Sequence, residues 1–109
     1  MRAHWVTTAT MIVIFSSSPS YADTRRDEKL QVEFGIAVAQ KELWREAMYH
    51  FERAVEIDPT YAPAYNNLAV AYEREGMIDK ARAAYEKGAR ARSEERRDQA
   101  ELRTIQGNP

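Results

Sequence analysis

Few side chains in this sequence are of the types that enzymes use for catalysis. The two histidines are His4 and His50, and there is no cysteine, so a Cys–His pair, a disulfide and a thiolate metal site are excluded. His50 stands on a predicted helix with Met48 and Phe51, where a surface or packing role is expected rather than that of a base. The glycines at 35, 76, 88 and 107 are too far apart to form a phosphate-binding loop. The sequence therefore predicts no catalysis and no bound metal or cofactor.

Carboxylates are plentiful, but they fit solvated helix surfaces better than an active site. Six of them fall opposite the apolar positions of their segments: Glu42, Glu46, Glu52, Glu56, Glu73 and Glu75. Glu42 with Glu46 and Glu52 with Glu56 bring like charges one helical turn apart, which differs from a buried acid–base pair. The chain has 16 basic and 17 acidic residues and a net charge of −1 at pH 7. This balance gives no electrostatic basis for binding nucleic acid or an anionic membrane surface.

Residues 1–22 have the layout of a secretory leader and are set apart from the fold. A short polar start with Arg2 precedes an apolar run over 5–15, and the small residues Ser20 and Ala22 stand before a cleavage point at Asp23. As a helix the apolar run would span about 16 Å, against about 30 Å of hydrocarbon, which favours a cleaved leader. The expected location is the periplasm or the exterior of a bacterium. The alternative is an uncleaved leader that anchors the chain in the inner membrane, the one case in which membrane contact is expected.

The rest of the chain repeats a pattern of large and small residues at an offset of 34 residues. Ala47 and Phe51 correspond to Ala81 and Tyr85. Upstream, Phe34, Gly35 and Val38 correspond to Leu68, Ala69 and Tyr72. A period of this length is typical of stacked helical hairpins rather than of one closed globule. Partner binding is therefore the leading class of function.

Four segments of helical periodicity make up the repeats. The first two are expected to bury Leu30, Phe34, Ala37 and Val38, and then Trp44, Ala47, Met48, Phe51, Ala54 and Val55. The last two are expected to bury Ala64, Tyr65, Leu68, Ala71 and Tyr72, and then Ile78, Ala81, Tyr85 and Gly88 or Ala89. Asp58-Pro59 ends the second helix, and Gly76 ends the third. Gly35 and Ala69 are expected where the helices of each hairpin approach most closely, facing Ala47 and Ala81.

On these residues, 28–61 and 62–95 resemble two tetratricopeptide repeats. The second is the closer match, with Tyr65, Asn67, Leu68, Ala69, Ala71, Tyr72, Gly76, Ala81 and Tyr85 in the family's pattern. The first departs at Gln31, where the family prefers an aromatic residue, and at Glu42, where it prefers a turn glycine. The second departs at Arg82 and Ser93. The resemblance implies an all-α fold, a short solenoid of two antiparallel hairpins with a polar capping helix over residues 96–109.

The resemblance also implies where a partner would bind. Ligands of the family contact the first helix of each hairpin, on the concave face, so the expected binding residues are Lys29, Val32, Ile36, Gln40, Asn66, Asn67, Val70, Glu73 and Arg74. Val32, Ile36 and Val70 are apolar although they lie off the expected packing stripe, and the others add hydrogen bonds and charge. The expected function is that of an exported, non-enzymatic adaptor that binds a peptide or a partner's helix. The alternative for the three apolar residues is that they pack on one another or on the tail.

A second function remains open, because at least three repeats are usually needed to bury a continuous core. A two-repeat chain could be a structural subunit that self-associates through uncovered repeat faces. Residues 27–58 hold eight acidic and four basic residues, whereas 80–103 hold eight basic and five acidic, which favours head-to-tail contact. The charged tail from Arg90 onward is expected to cap the stack or to continue the fourth helix.

Overall fold

The computed structural model describes residues 21–107, with side chains from Asp27 onward. The predicted leader lies outside these residues except for Tyr21 and Ala22, which begin the first helix. Four helices follow in order: α1, Tyr21–Ala39; α2, Trp44–Ile57; α3, Ala62–Arg74; and α4, Ile78–Ile105. No strand occurs between residues 21 and 107. The all-α fold is as predicted, and none of the described helices is long and apolar enough to cross a membrane.

The helices form two antiparallel hairpins that stack on each other. α1 packs along α2 and α3 packs along α4, while α2 and α1 both contact α3. The connection between the hairpins is the predicted turn at Asp58-Pro59. The Asp58 side chain accepts hydrogen bonds from the backbone N–H and the hydroxyl of Thr60, at 2.9 and 2.6 Å. Pro63 lies in the first turn of α3, where its missing N–H has no helical partner to lose.

Both hairpin turns close with the same backbone motif. At the end of α3, the N–H of Met77 donates to the carbonyl of Tyr72 and Gly76 adopts a φ of 77°. At the end of α1, the N–H of Leu43 donates to the carbonyl of Val38 and Glu42 adopts a φ of 61°. This left-handed position normally takes glycine. The first hairpin thus forms the turn despite having a glutamate there.

The core lies between α1, α2 and α3. Its buried side chains are Val32, Ala47, Phe51, Ala54, Ala64, Leu68 and Ala71, and half-buried Trp44, Met48, Val55 and Tyr72 pack against them. The buried faces predicted for α2 and α3 are therefore confirmed. Phe51 is the largest apolar side chain that is completely enclosed. Its ring fills the centre of the first hairpin beside small alanines, which is the large-and-small arrangement that the repeat predicts.

The predicted buried face of α1 is wrong for three of its four residues, and only Val38 is half-buried and packs against the core. Leu30 and Ala37 are exposed, and Phe34 is 58% exposed, lying over the His50 ring at 6.0 Å. Val32 and Gly35 are buried instead. The physical reason is that α1 contacts both α2 and α3, so its buried face is the one between them. Two apolar stripes run along α1, and periodicity alone does not tell which one is covered.

The predicted face of α4 is right for its small residues and wrong for its two large residues. Ala81 and Gly88 are buried, but Ile78 is 55% exposed and Tyr85 is 38% exposed. The remaining contacts with α3 come from alanines, since Ala84 and Ala91 are also buried. A Cβ atom at residue 88 would lie 2.8 Å from Oδ1 of Asn66, so glycine is what permits this close approach. α4 contacts only α3 among the described helices, which leaves its outer side uncovered.

The charged tail continues α4 as one helix up to Ile105. α4 has 28 residues and α3 has 13, so α4 is about 42 Å long against about 20 Å for its partner. Every residue from 92 to 107 is exposed. Of the two expectations for the tail, continuation of the fourth helix is the one observed.

Candidate functional site

An open groove of about 250 Å³ lies between α1 and α3, with α2 contributing to its wall. Its lining residues, which define the groove from here on, are Ile36, Ala39, Gln40, Trp44, Phe51, Asn67 and Val70. Two of these are amides, Gln40 directly after α1 and Asn67 on α3. The other five are apolar. An apolar channel with amides on both sides can hold side chains of a polypeptide and hydrogen-bond its backbone.

Gly35 sets the distance between α1 and α2 behind the groove. A Cβ atom at residue 35 would lie within 3.0 Å of three ring carbons of Phe51, so any larger residue would displace that ring. The prediction that Gly35 marks a close approach is confirmed, but the residue that faces it is Phe51 rather than Ala47. Ala47, Ala69 and Ala81 are completely or almost completely buried, as expected for contacts between helices. Phe51 is thereby held in the groove wall by the α1 backbone.

Asn67 is oriented by its own helix. Its side-chain Nδ2 donates to the carbonyl of Pro63 one turn earlier, at 2.8 Å. This additional bond to a helix carbonyl fixes the amide plane of Asn67. With one Nδ2 hydrogen engaged in it, Oδ1 can accept a hydrogen bond from a ligand and the second Nδ2 hydrogen can donate one. A groove side chain that is already held in one rotamer loses less conformational entropy when a ligand binds.

Trp44 and Arg74 form one edge of the groove. The Arg74 guanidinium lies 5.0 Å from the centre of the Trp44 ring, a cation–π contact between the end of α3 and the start of α2. The next residues form an ion pair, Arg45 Nε to Glu75 Oε2 at 3.2 Å. Arg45 is highly exposed, so this pair contributes little to stability. Together the two contacts tie the first hairpin to the second beside the groove.

The structure brings together four of the nine predicted binding residues. Ile36, Gln40, Asn67 and Val70 line the groove, two from each predicted repeat. Arg74 lies at its edge through the contact with Trp44. The sequence assigned Trp44 and Phe51 to the core alone. Phe51 is enclosed as expected, whereas the half-buried Trp44 keeps accessible surface that helical spacing does not reveal.

The other four predicted residues lie elsewhere. Val32 is only 6% exposed and belongs to the core, since it is on the α1 face that meets α2 and α3. The Asn66 side chain lies against Gly88 of α4. Glu73 accepts a hydrogen bond from the Tyr85 hydroxyl at 3.1 Å, again toward α4. Lys29 lines a different cavity. The expected place of Val32 off the packing stripe is therefore wrong.

Two titratable side chains of the described chain, Tyr72 and His50, form hydrogen bonds that hold helices together. The Tyr72 hydroxyl donates to Glu52 at 2.9 Å. Burial of the phenol, followed by the hydrogen bond and the negative charge of Glu52, raises the pKa of Tyr72 to about 12. His50 Nδ1 pairs with Gln31 Oε1 at 2.8 Å. From Asp27 to Gly107 there is no group of three or more His, Asp or Glu residues with the spacing of a metal site.

Comparison with known families agrees with this architecture. A family model described as tetratricopeptide repeat matches residues 50–83. Residues 50–83 therefore carry a tetratricopeptide repeat. The matched segment is 34 residues long, equal to the offset between the repeats. It runs from α2 through α3 into α4 and therefore overlaps both predicted repeats. A search of solved structures gave no match.

The tetratricopeptide repeat at residues 50–83 indicates the general kind of activity. The repeat is a protein–protein interaction module, and the family is generally non-enzymatic. The matched segment contains three groove residues, Phe51, Asn67 and Val70, on the two helices that join the hairpins. The groove is thus built on the part of the chain that carries the family pattern. The two predicted repeat boundaries, at 28–61 and 62–95, stay predictions.

Proposed function

We propose that this tetratricopeptide repeat protein is an adaptor whose groove binds an extended peptide or a helix of a partner protein. The observation that carries the proposal is that Ile36 of α1 and Gln40 directly after it share one opening with Asn67 and Val70 of α3. Each hairpin contributes an apolar residue and an amide, so a bound segment contacts both repeats at once. A partner that bridges the hairpins also stabilises their stacking, because it binds the folded state alone.

Recognition in the groove divides into two parts. Ile36, Val70 and the Trp44 ring bury apolar side chains of the partner, at about 25 cal/mol for each Å² removed from water. Gln40 and the Asn67 carbonyl hydrogen-bond its backbone and fix its direction. No proton transfer or covalent step is involved. The function is recognition by helix-borne side chains that the stack holds in place.

We further propose that the adaptor acts in the bacterial envelope after removal of residues 1–22. The support is the order of polar start, short apolar run and small residues in that segment. Sequencing the amino terminus of the protein recovered from the envelope fraction tests this. Asp23 as the first residue is expected, and Met1 in a membrane-bound protein would instead support the uncleaved anchor.

The groove is tested with a matched pair of substitutions. Ile36 is 39% exposed within the groove, and Ile78 is exposed at the start of α4, outside it. Ile36→Glu places a charge where an apolar partner surface would dock, and a partner identified by cross-linking from the envelope fraction should then bind at least tenfold more weakly. Ile78→Glu carries the same chemical change and should leave affinity unaltered. Equal affinity of both variants for that partner would show that the groove is not the binding site.

Self-association through uncovered repeat faces is the second candidate function. It is favoured by the large apolar side chains on the outer surfaces, with Phe34 and Tyr49 on the first hairpin and Ile78 on the last. A contact made by these residues buries apolar surface, so it should persist at high salt. Sedimentation at several concentrations and salt levels measures this. A monomer under all conditions would eliminate this candidate and leave the groove proposal untouched.

A further inference from the structure

A second cavity of about 470 Å³ lies where α1 and α3 begin and α4 extends past them. Its lining contains five carboxylates and one lysine: Glu28, Lys29, Asp58, Glu94, Glu95 and Asp98. We call it the acidic cleft. Within residues 27–107, none of its acidic side chains forms a salt bridge. Its negative charge is therefore not neutralised by the described part of the chain.

Glu28 is the unusual member of the cleft. It is only 1% exposed, and its Oε2 atom has no hydrogen-bond partner among residues 27–107. Buried polar atoms in folded proteins are nearly always hydrogen-bonded, because leaving one unpaired costs on the order of 1–3 kcal/mol. Asp58 differs, because its Oδ1 atom accepts two hydrogen bonds from Thr60. The wall of the cleft thus contains an acceptor that lacks a donor.

The acidic cleft and the groove follow the same two helices. Lys29 of the cleft precedes Ile36 of the groove by seven residues on α1, and Pro63 precedes Val70 by the same interval on α3. Seven residues are nearly two turns, so each pair lies on one helix face about 10 Å apart. An extended polypeptide covers that distance in about three residues. One bound segment can therefore reach both.

The exposed stretch at residues 92–107 contributes carboxylates to the cleft, but no arginine. Glu94, Glu95 and Asp98 line the cavity with Leu102. The four arginines of residues 92–107 do not line it, although this stretch has as many basic as acidic residues. The helix is thus oriented so that its negative side faces the opening. A low-dielectric wall strengthens the attraction that such a site exerts on a cation.

We propose that the acidic cleft binds an arginine or lysine side chain of the same partner polypeptide whose apolar segment occupies the groove. The proposal rests on the function assigned to the groove, and it specifies the partner's chemistry as a basic residue about three positions from an apolar segment. The guanidinium or ammonium group supplies the donor that Glu28 lacks and the positive charge that Glu94 and Asp98 attract.

The test uses hexa-arginine labelled with a fluorophore as probe and the full chain as receptor. Binding is measured by fluorescence anisotropy at low salt and at about 0.15 M salt, where charges farther than about 8 Å apart are screened. We expect saturable binding that Glu28→Gln weakens about tenfold. Glu94→Gln with Asp98→Asn, both at exposed positions that leave the fold intact, should weaken it about three- to tenfold. Hexaglutamate should not bind.

The matched control removes two exposed carboxylates outside the cleft, with Glu46→Gln and Glu86→Gln. If this control weakens hexa-arginine binding as much as the cleft variants do, the attraction is diffuse and the proposal is wrong. It is also wrong if hexa-arginine dissociates a dimer, because the cleft is then filled by a second copy. An uncharged groove variant, Ile36→Gln, separates the two sites, since it should leave hexa-arginine binding unchanged whether or not the groove binds a partner.

Discussion

Replacing Glu42 with glycine should stabilise the protein, because the turn after α1 requires a left-handed backbone. Glu42 has a φ of 61°, and the residue one repeat later, Gly76, has a φ of 77° in the same turn. The Glu42 side chain is exposed and forms no hydrogen bond or ion pair between residues 27 and 107. Nothing in the described contacts of Glu42 offsets the strained backbone.

The magnitude follows from two opposing terms. A residue with a Cβ atom in the left-handed region is disfavoured by roughly 1–2 kcal/mol. Glycine loses about 0.4–1 kcal/mol because it makes the unfolded chain more flexible. Glu42→Gly should therefore raise the free energy of unfolding by about 0.5–1 kcal/mol. Since 1 kcal/mol moves the melting temperature of a domain of this size by about 4–8 °C, thermal melting followed by circular dichroism resolves the effect.

Two control variants make the test specific to the backbone. Gly76→Ala should lower the free energy of unfolding by about 1 kcal/mol; a Cβ atom there would contact nothing within 4 Å, so the loss comes from φ alone. Glu46→Gly makes the same chemical change inside α2 and should destabilise by up to about 1 kcal/mol. If Glu42→Gly were neutral or destabilising while both controls behaved as described, the argument from the turn would be refuted.

Further predictions concern the core and the titration of the half-buried Tyr72. Ala47→Leu and Ala81→Leu should each lower the free energy of unfolding by about 1–3 kcal/mol through overpacking. Ala83→Leu, on the exposed side of α4, should change it by less than about 0.5 kcal/mol. Denaturation midpoints unchanged in both buried variants would refute the packing. Folding raises the pKa of Tyr72 from 10.0 to about 12. This stabilisation is complete below pH 10 and is lost as the pH rises toward 12, because the unfolded phenol ionises first. Denaturation midpoints at about pH 9 and about pH 11 should therefore differ less in Tyr72→Phe than in the wild type; an equal difference would contradict the role of burial and of Glu52.

The sequence predicted the order of elements and the small-residue contacts because these depend on local pattern. Asp58-Pro59 and Gly76 break the helices for reasons internal to those residues, and the turn near Glu42 followed from the 34-residue offset alone. The alanines at 47 and 81 were predicted as contact points and are buried. Local backbone preference and the repeat were sufficient for these features.

Burial along α1 could not be predicted from the same information. Its two apolar stripes have equal periodicity, and which one is covered depends on α2 and α3 meeting α1 from adjacent sides. Val32 entered the core and Phe34 stayed exposed for that reason. The same limit applies to the groove, where Trp44 and Phe51 contribute a surface that only the stacking of hairpins creates. The acidic cleft depends on how far α4 extends past α1, which no local pattern determines.

The most direct test of the account uses a photo-cross-linking amino acid in place of Gln40, at the centre of the groove, and in place of Gln106, after the end of α4. Both positions are exposed, so neither substitution should disturb folding. The account predicts that irradiation of cells links a discrete partner to the chain at position 40 and that Ile36→Glu abolishes the link. The position 106 variant should give no such product. A partner linked equally from both positions, or linked at position 40 despite Ile36→Glu, would contradict the claim that the groove is where this protein binds.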